Sequence, residues 1–346
     1  MKRSFMFICA AALLLTGCGA SADEASAQLF AMDTVMQLDA YGHQVKQAVS
    51  DAEETIQALE ARLSRTREDS LVSVLNQNGA AQDLSAAEQA LLSEALTFRD
   101  ATGGAFDITI APVMDAWGFT GDSYRVPAQD ELDALLENVN SDEIRLSGSS
   151  VTLGAGQAID LGGIAKGYTS DCVEAVFREN KIESGKISLG GNVFVLGGKP
   201  DGADWRVGIR DPQDENALAA VLTLRDAYAI TSGGYERYFT ENGNTYHHII
   251  DPSTGYPADS GLLSVTVVAE ANGPDFSGPG NGTMCDAFST ALFIMGEERA
   301  LEFWQTGGYD FDLVLVTADG RVIITDGLSD RFEVVKDSGY TYETVS

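Results

Sequence analysis

Asp286 and Thr290 are four residues apart in a segment whose apolar pattern predicts a helix ended by Gly307 and Gly308. That spacing puts both side chains on one helical face, about 5–6 Å apart at Cβ. A carboxylate and a hydroxyl are oxygen ligands that suit a hard cation such as Mg²⁺, with phosphates and water completing the shell. An aspartate near a helix start can equally be a cap, so the pair alone leaves both roles open.

Two of the three histidines in the chain are adjacent, at positions 247 and 248, in the segment TYHHIIDPSTGYP. Side chains alternate along a strand, so only one of the two can face a site. An imidazole with a reference pKa near 6.5 is well suited to accept a proton at neutral pH, which makes one of them a candidate general base. A hydrogen bond to the following Asp251-Pro252 turn is the alternative role, and a carboxylate such as Asp286 could be the base instead.

The segment AIDLGGIAKGYTSD combines a strand end at Asp160, two glycines and the start of a helix. Glycines let another group approach the backbone, and the free amides of a helix start attract phosphate. Lys166 could add a positive charge. The glycine spacing fits neither a Walker loop nor a dinucleotide fingerprint, so a plain turn remains the alternative.

Two other segments place polar groups beside glycine breaks. Phe106 and Asp107 could enclose a flat ring and bind its edge, although core aromatics with a capping aspartate explain them as well. Ser232 precedes two glycines and Arg237 follows them, an arrangement that could bind phosphate. A turn at the end of a strand explains that second segment equally well.

The order of periodic segments predicts an α+β fold, because helical patterns lie mostly early and β-type runs dominate later. Ser85 and Glu88 form a capping-box pattern, and Asp319-Gly320 suits a tight hairpin turn. A surface loop is expected at 271–283. Predicted helices cover residues 45–64, 85–102, 130–139, 164–180 and 285–306.

The N-terminus, MKRSFMFICAAALLLTGCGA, has a basic start, a short apolar run and small residues, which predict an export signal rather than a spanning helix. Cys18 follows a lipobox-like Leu-x-Gly, so residues 1–17 are predicted to be a lipoprotein signal and Cys18 the lipidated residue; an ordinary signal peptide is the alternative. Residues 18–28 then form a tether, and residues 29–346 the functional domain.

The formal net charge of −30 makes nucleic acid an implausible partner. It also means that any anionic ligand needs local positive charge in its site. A bound cation such as Mg²⁺ would supply it.

The order of eight segments, from MDTVMQLDAYG near the N-terminus to CDAFSTALFIMG, resembles the ApbE family of FAD:protein FMN transferases across residues 29–335. The resemblance implies a single two-lobed, T-fold-related domain with mixed and antiparallel sheets and flanking helices. It implies Mg²⁺ held by Asp286, Thr290 and the Gly163 carbonyl oxygen. Its His-x-x-Asp-Pro motif selects His248 as the base, and the FAD contacts that it implies are Met32, Thr66, Ala105, Phe106, Asp107, Asp160, Lys166 and Ile250.

Three departures from the family pattern stand out. Asp33 occupies a position that is often glycine, Thr66 one that is aromatic in some members, and the loop at 271–283 is longer than usual.

The implied reaction transfers FMN from FAD to a threonine or serine hydroxyl of an acceptor flavoprotein and releases AMP. Implied acceptors are flavin-carrying subunits of membrane redox pumps and extracellular electron-transfer proteins, met on the outer face of the bacterial cell membrane. The alternatives are a Mg²⁺-dependent FAD pyrophosphatase and a non-catalytic FAD-binding lipoprotein.

Overall fold

The computed structural model describes residues 23–121, 123–273 and 276–346. Cys18 and the signal at 1–17 lie outside these residues. The α-helices of the described residues are α1 (Val45–Leu63), α2 (Leu71–Asn78), α3 (Ala86–Ala101), α4 (Ala111–Trp117), α5 (Gln129–Leu136), α6 (Ala165–Glu179) and α7 (Asn281–Thr306). Short 3-10 helices cover Ile108–Ile110, Ser141–Glu143 and Asp326–Leu328.

The strands of the described residues are β1 (Glu24–Ala31), β2 (Thr34–Tyr41), β3 (Ala80–Ala81), β4 (Arg145–Ser147), β5 (Ser150–Thr152), β6 (Ser184–Leu189), β7 (Asn192–Leu196), β8 (Trp205–Asp211), β9 (Asp214–Leu224), β10 (Ala227–Gly233), β11 (Tyr238–Glu241), β12 (Asn244–His247), β13 (Leu262–Glu270), β14 (Asp312–Thr317), β15 (Arg321–Thr325), β16 (Phe332–Val334) and β17 (Thr341–Val345).

A nine-stranded sheet forms the centre, in the order β1-β2-β6-β7-β10-β13-β14-β15-β17. Its strand pairs are antiparallel except β15 with β17. Helices α1, α6 and α7 pack on one face, where alternate apolar side chains of the strands enter the largest core cluster. A smaller cluster joins the other face to the β8-β9-β16 sheet. The α+β prediction, with flanking helices, is therefore confirmed.

Two local predictions are confirmed by the structure. Ser85 and Glu88 form the expected capping box, and Gly320 occupies the β14–β15 turn with a positive φ of 87°. Helix α7 begins earlier than expected, at Asn281, and has non-helical backbone angles at Gly296. No helix of residues 23–121, 123–273 and 276–346 is long and apolar enough to cross a membrane.

Two predicted boundaries differ from the structure. Residues 24–28, expected in the tether, belong to β1, because Ala25, Ala27 and Leu29 alternate toward the core and hold the strand against β2. The surface loop expected at 271–283 is also shorter. Asn272 is buried and residues 281–283 are helical, since polar residues of this segment pack against α6.

Candidate active site

One cavity of about 520 Å³ contains every site residue that the sequence analysis named within the described residues. The segments that line it come from the β1–β2 turn, the loop after α1, the turn before α6, the end of β10, the segment after β12, and α7. Distant parts of the chain therefore meet at one place. The fourteen residues are Met32, Thr66, Ala105, Phe106, Asp107, Asp160, Gly163, Lys166, Ser232, Arg237, His248, Ile250, Asp286 and Thr290.

Oxygen groups from three elements meet at the α6–α7 end of the cavity. The Ser232 hydroxyl lies 3.2 Å from the Thr290 hydroxyl, and a Cβ atom built at Gly163 would lie 3.5 Å from Thr290 Oγ1. Asp286 is only 3% exposed, and one of its carboxylate oxygens, Oδ2, accepts from the Gly167 amide at 2.8 Å. Gly163 and Thr290 are therefore neighbours, and Asp286 lies one helical turn before Thr290 on α7.

The start of α6 leaves a backbone oxygen available at this place. Gly167 lies in the first turn of α6, where backbone amides have no acceptor within the helix, and its amide donates to Asp286. The first regular bond of α6 is Tyr168 to Ile164, at 3.0 Å. Among the described residues the Gly163 oxygen accepts no backbone hydrogen bond. A peptide oxygen without a donor beside a carboxylate and a hydroxyl suits a hard cation.

No group of three or more His, Cys, Asp or Glu side chains that could hold a metal occurs in the part of the chain that the structure describes. The set at this end of the cavity is of another kind, because it has one carboxylate, hydroxyls and a peptide oxygen. Mg²⁺ commonly uses one or two carboxylates and completes its shell with water and substrate phosphates. The residues present therefore fit Mg²⁺ bound together with a phosphate-bearing ligand.

Helix α6 approaches α7 closely because its contact positions are small or hydrogen-bonded. A Cβ atom at Gly167 would lie 2.2 Å from the Gly282 carbonyl oxygen and 2.6 Å from Asp286 Cβ, so only glycine fits. One turn later, Asp171 accepts from the Gly280, Gly282 and Thr283 amides at 2.8–2.9 Å. A side chain of α6 thus caps α7, which fixes where Asp286 and Thr290 lie.

A buried polar network extends this contact. The Asn272 side-chain nitrogen lies 2.7 Å from Asp171 Oδ1, 2.9 Å from Glu174 Oε2 and 2.9 Å from the Tyr228 hydroxyl. Burial raises the pKa of Asp171 and of Glu174, while their hydrogen bonds oppose the shift. The sequence analysis missed this network, although Asp171 and Glu174 in the predicted helix are three residues apart and share a face.

Arg65 is a second residue that the sequence analysis missed. Its guanidinium donates to Asp160 Oδ2 at 2.9 Å, to Thr120 at 2.8 Å and to Asp115 at 2.9–3.0 Å. The other Asp160 oxygen, Oδ1, accepts from the Gly162 amide at 2.7 Å. Asp160 therefore connects Arg65 to the backbone of the glycine turn. The signal was an arginine directly before Thr66 in a chain with only 22 basic residues.

Two residues predicted to contact FAD, Asp107 and Met32, line the cavity but also form hydrogen bonds within the protein. Both oxygens of Asp107 face protein groups, with Oδ1 accepting from the Thr109 amide at 2.8 Å and Oδ2 lying 3.3 Å from the Ser141 amide. Asp107 is therefore a cap as well as a lining residue. Met32 has a positive φ of 49°, and its amide donates to Glu60 at 2.8 Å. Asp33 follows with a φ of 60°, a conformation that explains why glycine is common there.

His248 faces the cavity and His247 does not line it, as strand alternation requires. Burial, with the positive charges of Arg237 and Lys166, lowers the pKa of His248 to about 3. Its Nδ1 lies 3.2 Å from the Arg237 carbonyl oxygen. A carbonyl only accepts, so Nδ1 carries the proton of the neutral ring and Nε2 is free to accept one.

His247, the other histidine of the pair, is held by contacts with the protein rather than by water. Its Nε2 lies 3.1 Å from the Ala258 carbonyl oxygen and its ring packs edge-on against Phe293. Burial lowers the pKa of His247 as well. His247 therefore packs against α7 through Phe293, on the side of the segment that faces away from the cavity.

Four positive side chains line the cavity beside six carboxylates, which are Asp33, Glu60, Asp107, Asp160, Glu236 and Asp286. Arg65, Arg67, Lys166 and Arg237 line it. Arg237 donates to the Phe119 carbonyl oxygen at 3.0 Å and lies 3.8 Å from the Asp33 carboxylate. An anionic ligand would therefore meet positive groups from three segments of the chain.

Comparison with known proteins decides the family. A family model described as the ApbE family matches residues 32–312. The chain belongs to the ApbE family. The FAD:protein FMN transferase of Treponema pallidum (strain Nichols) is 33% identical to this ApbE chain over 84% of this chain and 83% of that protein.

Other relatives agree with this assignment. The FAD:protein FMN transferase of Klebsiella pneumoniae (strain 342) is 35% identical over 68% of this ApbE chain and 70% of its own length. The crystal structure of the ApbE protein of Thermotoga maritima MSB8 superposes with a TM-score of 0.78 at 29% identity, covering 91% of this chain and 97% of that one. The fold and the family expected from the sequence are both confirmed.

Proposed function

We propose that this ApbE protein transfers FMN from FAD to a threonine or serine hydroxyl of an acceptor flavoprotein and releases AMP. One observation carries the proposal: His248, Asp286, Thr290 and Gly163 converge in a single cavity together with every predicted FAD contact. The relatives that match most of the chain bear the name of this activity. FAD is the donor substrate, and an exported flavoprotein is the partner.

The reaction makes and breaks one bond each. The acceptor oxygen bonds to the phosphorus on the riboflavin side of the diphosphate, the bond from that phosphorus to the bridging oxygen breaks, and AMP leaves with that oxygen. The acceptor hydroxyl loses its proton. Catalysis therefore requires neutralised phosphates, an aligned hydroxyl and a proton acceptor.

Asp286, Thr290 and the Gly163 carbonyl oxygen would hold Mg²⁺, and the bound ion would supply Lewis-acid neutralisation of the diphosphate. Lys166 and Arg237 add positive charge from the protein. Arg65 fixes Asp160 and, through it, the turn that presents Gly163. Ser232 hydrogen-bonds Thr290 at 3.2 Å and so orients that hydroxyl.

The remaining lining residues suit a flat ring system. Phe106 and Ile250 are at most 5% exposed and contribute apolar surface, while Met32, Thr66 and Ala105 line the same cavity. Asp107 holds the wall beside them through its own hydrogen bonds.

His248 accepts the acceptor's proton at Nε2. Its low pKa in the protein without ligand follows from burial beside Lys166 and Arg237. Phosphate charges close to these two side chains would offset their effect, so an FAD-bound site raises the basicity of the ring. Asp286 is the second candidate for this step, because its carboxylate could accept the proton as well as bind the metal.

We also propose a location for the enzyme, based on its N-terminal sequence. Residues 1–17 act as a lipoprotein signal, Cys18 carries the lipid, and the enzyme lies on the outer face of the cell membrane. Acceptors there would be flavin-carrying subunits of membrane redox pumps or extracellular electron-transfer proteins.

The deciding experiment uses the purified chain without residues 1–17, FAD, Mg²⁺ and a peptide with the acceptor pattern Asp/Ser-Gly-Ala-Thr/Ser-x-Ala-Thr. Flavin fluorescence that stays with the peptide, with one AMP per flavin, is the expected result. Free FMN with AMP would instead identify a pyrophosphatase, and unchanged bound FAD a binding protein. Either of these two outcomes overturns the transferase.

A further inference from the structure

Strand β1 is an edge strand with unusual exposure at the end next to the cavity. In the nine-stranded sheet it pairs only with β2, so its other edge has no strand beside it among the described residues. Phe30 is 71% exposed and Val35 54% exposed. The two are direct cross-strand partners, so their side chains lie on the same face.

This edge lacks the usual protections against added strands. Natural edge strands carry lysine, proline or a bulge, or are very short. β1 has eight residues, EASAQLFA, with no lysine, arginine or proline. Its register with β2 is continuous over eight pairs, without a bulge. Alternate residues of such a strand direct their N–H and C=O groups away from the partner strand.

The exposed pair leads directly to the site. Met32 and Asp33, which form the turn between β1 and β2, line the cavity together with Thr34, the first residue of β2. Phe30 precedes Met32 by two residues, which is about 7 Å along an extended chain. A segment bound beside Phe30 would therefore reach the cavity mouth within two or three of its own residues.

We propose that the free edge of β1, with the Phe30 and Val35 pair, binds an extended apolar segment of the acceptor protein and leads its hydroxyl residue into the cavity. This inference rests on the proposed transferase function. Main-chain hydrogen bonds along the edge give affinity for an extended segment of varied sequence, and the apolar pair selects what flanks the hydroxyl residue.

Charge distinguishes this occupant from a membrane surface. The β1–β2 hairpin, residues 24–41, contains Glu24, Asp33 and Asp39 and no lysine or arginine. Peripheral contacts with anionic bilayers rely on basic residues near the inserted apolar ones. An apolar segment without excess negative charge fits the hairpin, and an anionic lipid surface does not.

The test pairs two peptides with two proteins. One peptide carries the acceptor pattern alone, and the other carries the pattern with Val-Thr-Val-Thr on both sides. With wild-type protein, the flanked peptide is expected to have a KM for transfer at least about tenfold lower. In Phe30→Ser/Val35→Ser that advantage disappears, whereas kcat and the Kd for FAD stay within about twofold.

A matched control is the double variant Leu218→Ser/Val334→Ser. These residues are 40% and 49% exposed and lie on the β8-β9-β16 sheet, outside the cavity. The control is expected to keep the full advantage of the flanks. Phe30→Lys, which places a charge on the edge, is a second variant with the same expected loss.

The outcomes separate the two proposals. Equal KM values for both peptides with wild-type protein overturn the edge-binding inference but leave the transferase proposal standing. The same conclusion follows if Leu218→Ser/Val334→Ser loses the KM advantage of the flanked peptide as fully as Phe30→Ser/Val35→Ser does. If Phe30→Ser/Val35→Ser loses binding to phosphatidylglycerol vesicles while its KM for the peptides is unchanged, the patch is a membrane contact. If it loses self-association in size-exclusion chromatography with the same unchanged KM, the patch contacts a second copy of the chain. Either result overturns the edge-binding inference. FAD binding without transfer to either peptide removes the transferase and the edge proposal together.

Discussion

The Gly167 amide donates to the Asp286 carboxylate at 2.8 Å, and a Cβ atom at Gly167 would lie 2.6 Å from Asp286 Cβ, so no side chain fits there. One contact therefore both packs α6 on α7 and orients the acid expected to hold Mg²⁺. The Gly163 carbonyl oxygen, which precedes α6, accepts no backbone hydrogen bond among the described residues.

Gly167→Ala should separate the two helices. A Cβ at this position would lie 2.2 Å from the backbone oxygen of Gly282, which cannot rotate away. We expect the free energy of unfolding to fall by about 1–3 kcal/mol, the usual cost of overpacking, and Mg²⁺ to bind more weakly. Denaturant unfolding and Mn²⁺ titration followed by electron paramagnetic resonance would measure the two effects.

Gly121→Ala is the control for this substitution, because a Cβ there meets no heavy atom within 4 Å. Its unfolding free energy should change by no more than about 0.5 kcal/mol. Equal behaviour of the two variants would refute the packing argument.

Asp286→Ala should abolish Mg²⁺-dependent turnover of FAD. The variant removes the carboxylate among the predicted ligands, and the neighbouring hydroxyl and peptide oxygen carry no charge to replace it. Steady-state assays across Mg²⁺ concentrations would show this. Glu302→Ala removes an exposed acid from the same helix and should leave turnover unchanged. Activity that survives both Asp286→Ala and excess chelator would eliminate the metal assignment.

His248→Ala should leave FAD binding largely intact and reduce transfer at least about a hundredfold, the usual reach of a general base. Fluorescence titration with FAD and the peptide-transfer assay would separate the two quantities. Full transfer activity in the variant would exclude His248 from the role and favour Asp286.

The pKa of His248 should rise when an anionic ligand binds. Lys166 and Arg237 help to lower it to about 3, and a diphosphate beside them would oppose their charge. The chain has three histidines, so ring-proton NMR titrations with and without ADP can resolve each one. An unchanged pKa in saturating ADP would show that the diphosphate binds elsewhere.

The same shift makes stability depend on pH. In the unfolded chain His248 takes up a proton below about pH 6.5, whereas in the folded protein it does so only near 3. Its contribution is therefore complete above pH 6.5 and is lost as the pH falls from 6.5 toward 3, by up to about 1.4 kcal/mol per pH unit. His248→Gln should show a shallower loss over that window in denaturant unfolding.

Asn272→Ala should destabilise the protein by about 3 kcal/mol, because it leaves the buried Asp171 and Glu174 without a donor that they share. Thermal and denaturant unfolding would measure the loss. Asn281→Ala is the comparison, since its side-chain nitrogen makes a single hydrogen bond, to the Glu270 carbonyl oxygen at the exposed surface. A loss as small as that of Asn281→Ala would mean that the network does not hold α7.

The sequence by itself determined the elements whose signals are local. The Ser85 capping box, the hairpin turn at Asp319-Gly320 and the periodic helices each depend on residues no more than four positions apart, so they could be predicted. The residues of the site could also be named, because the order of motifs identifies the family. The strand at 24–28 was missed because small, polar residues there carry little β signal, and its pairing with β2 holds it in place.

Only the tertiary structure decided how these residues work together. The Gly167–Asp286 contact, the capping of α7 by Asp171 and the Arg65–Asp160 pair join positions 95–119 residues apart, and no local pattern encodes them. The same holds for the pKa of His248, which depends on burial and on charges that other segments bring close. Chemistry can be recognised in single residues, but their protonation and alignment depend on neighbours that only folding supplies.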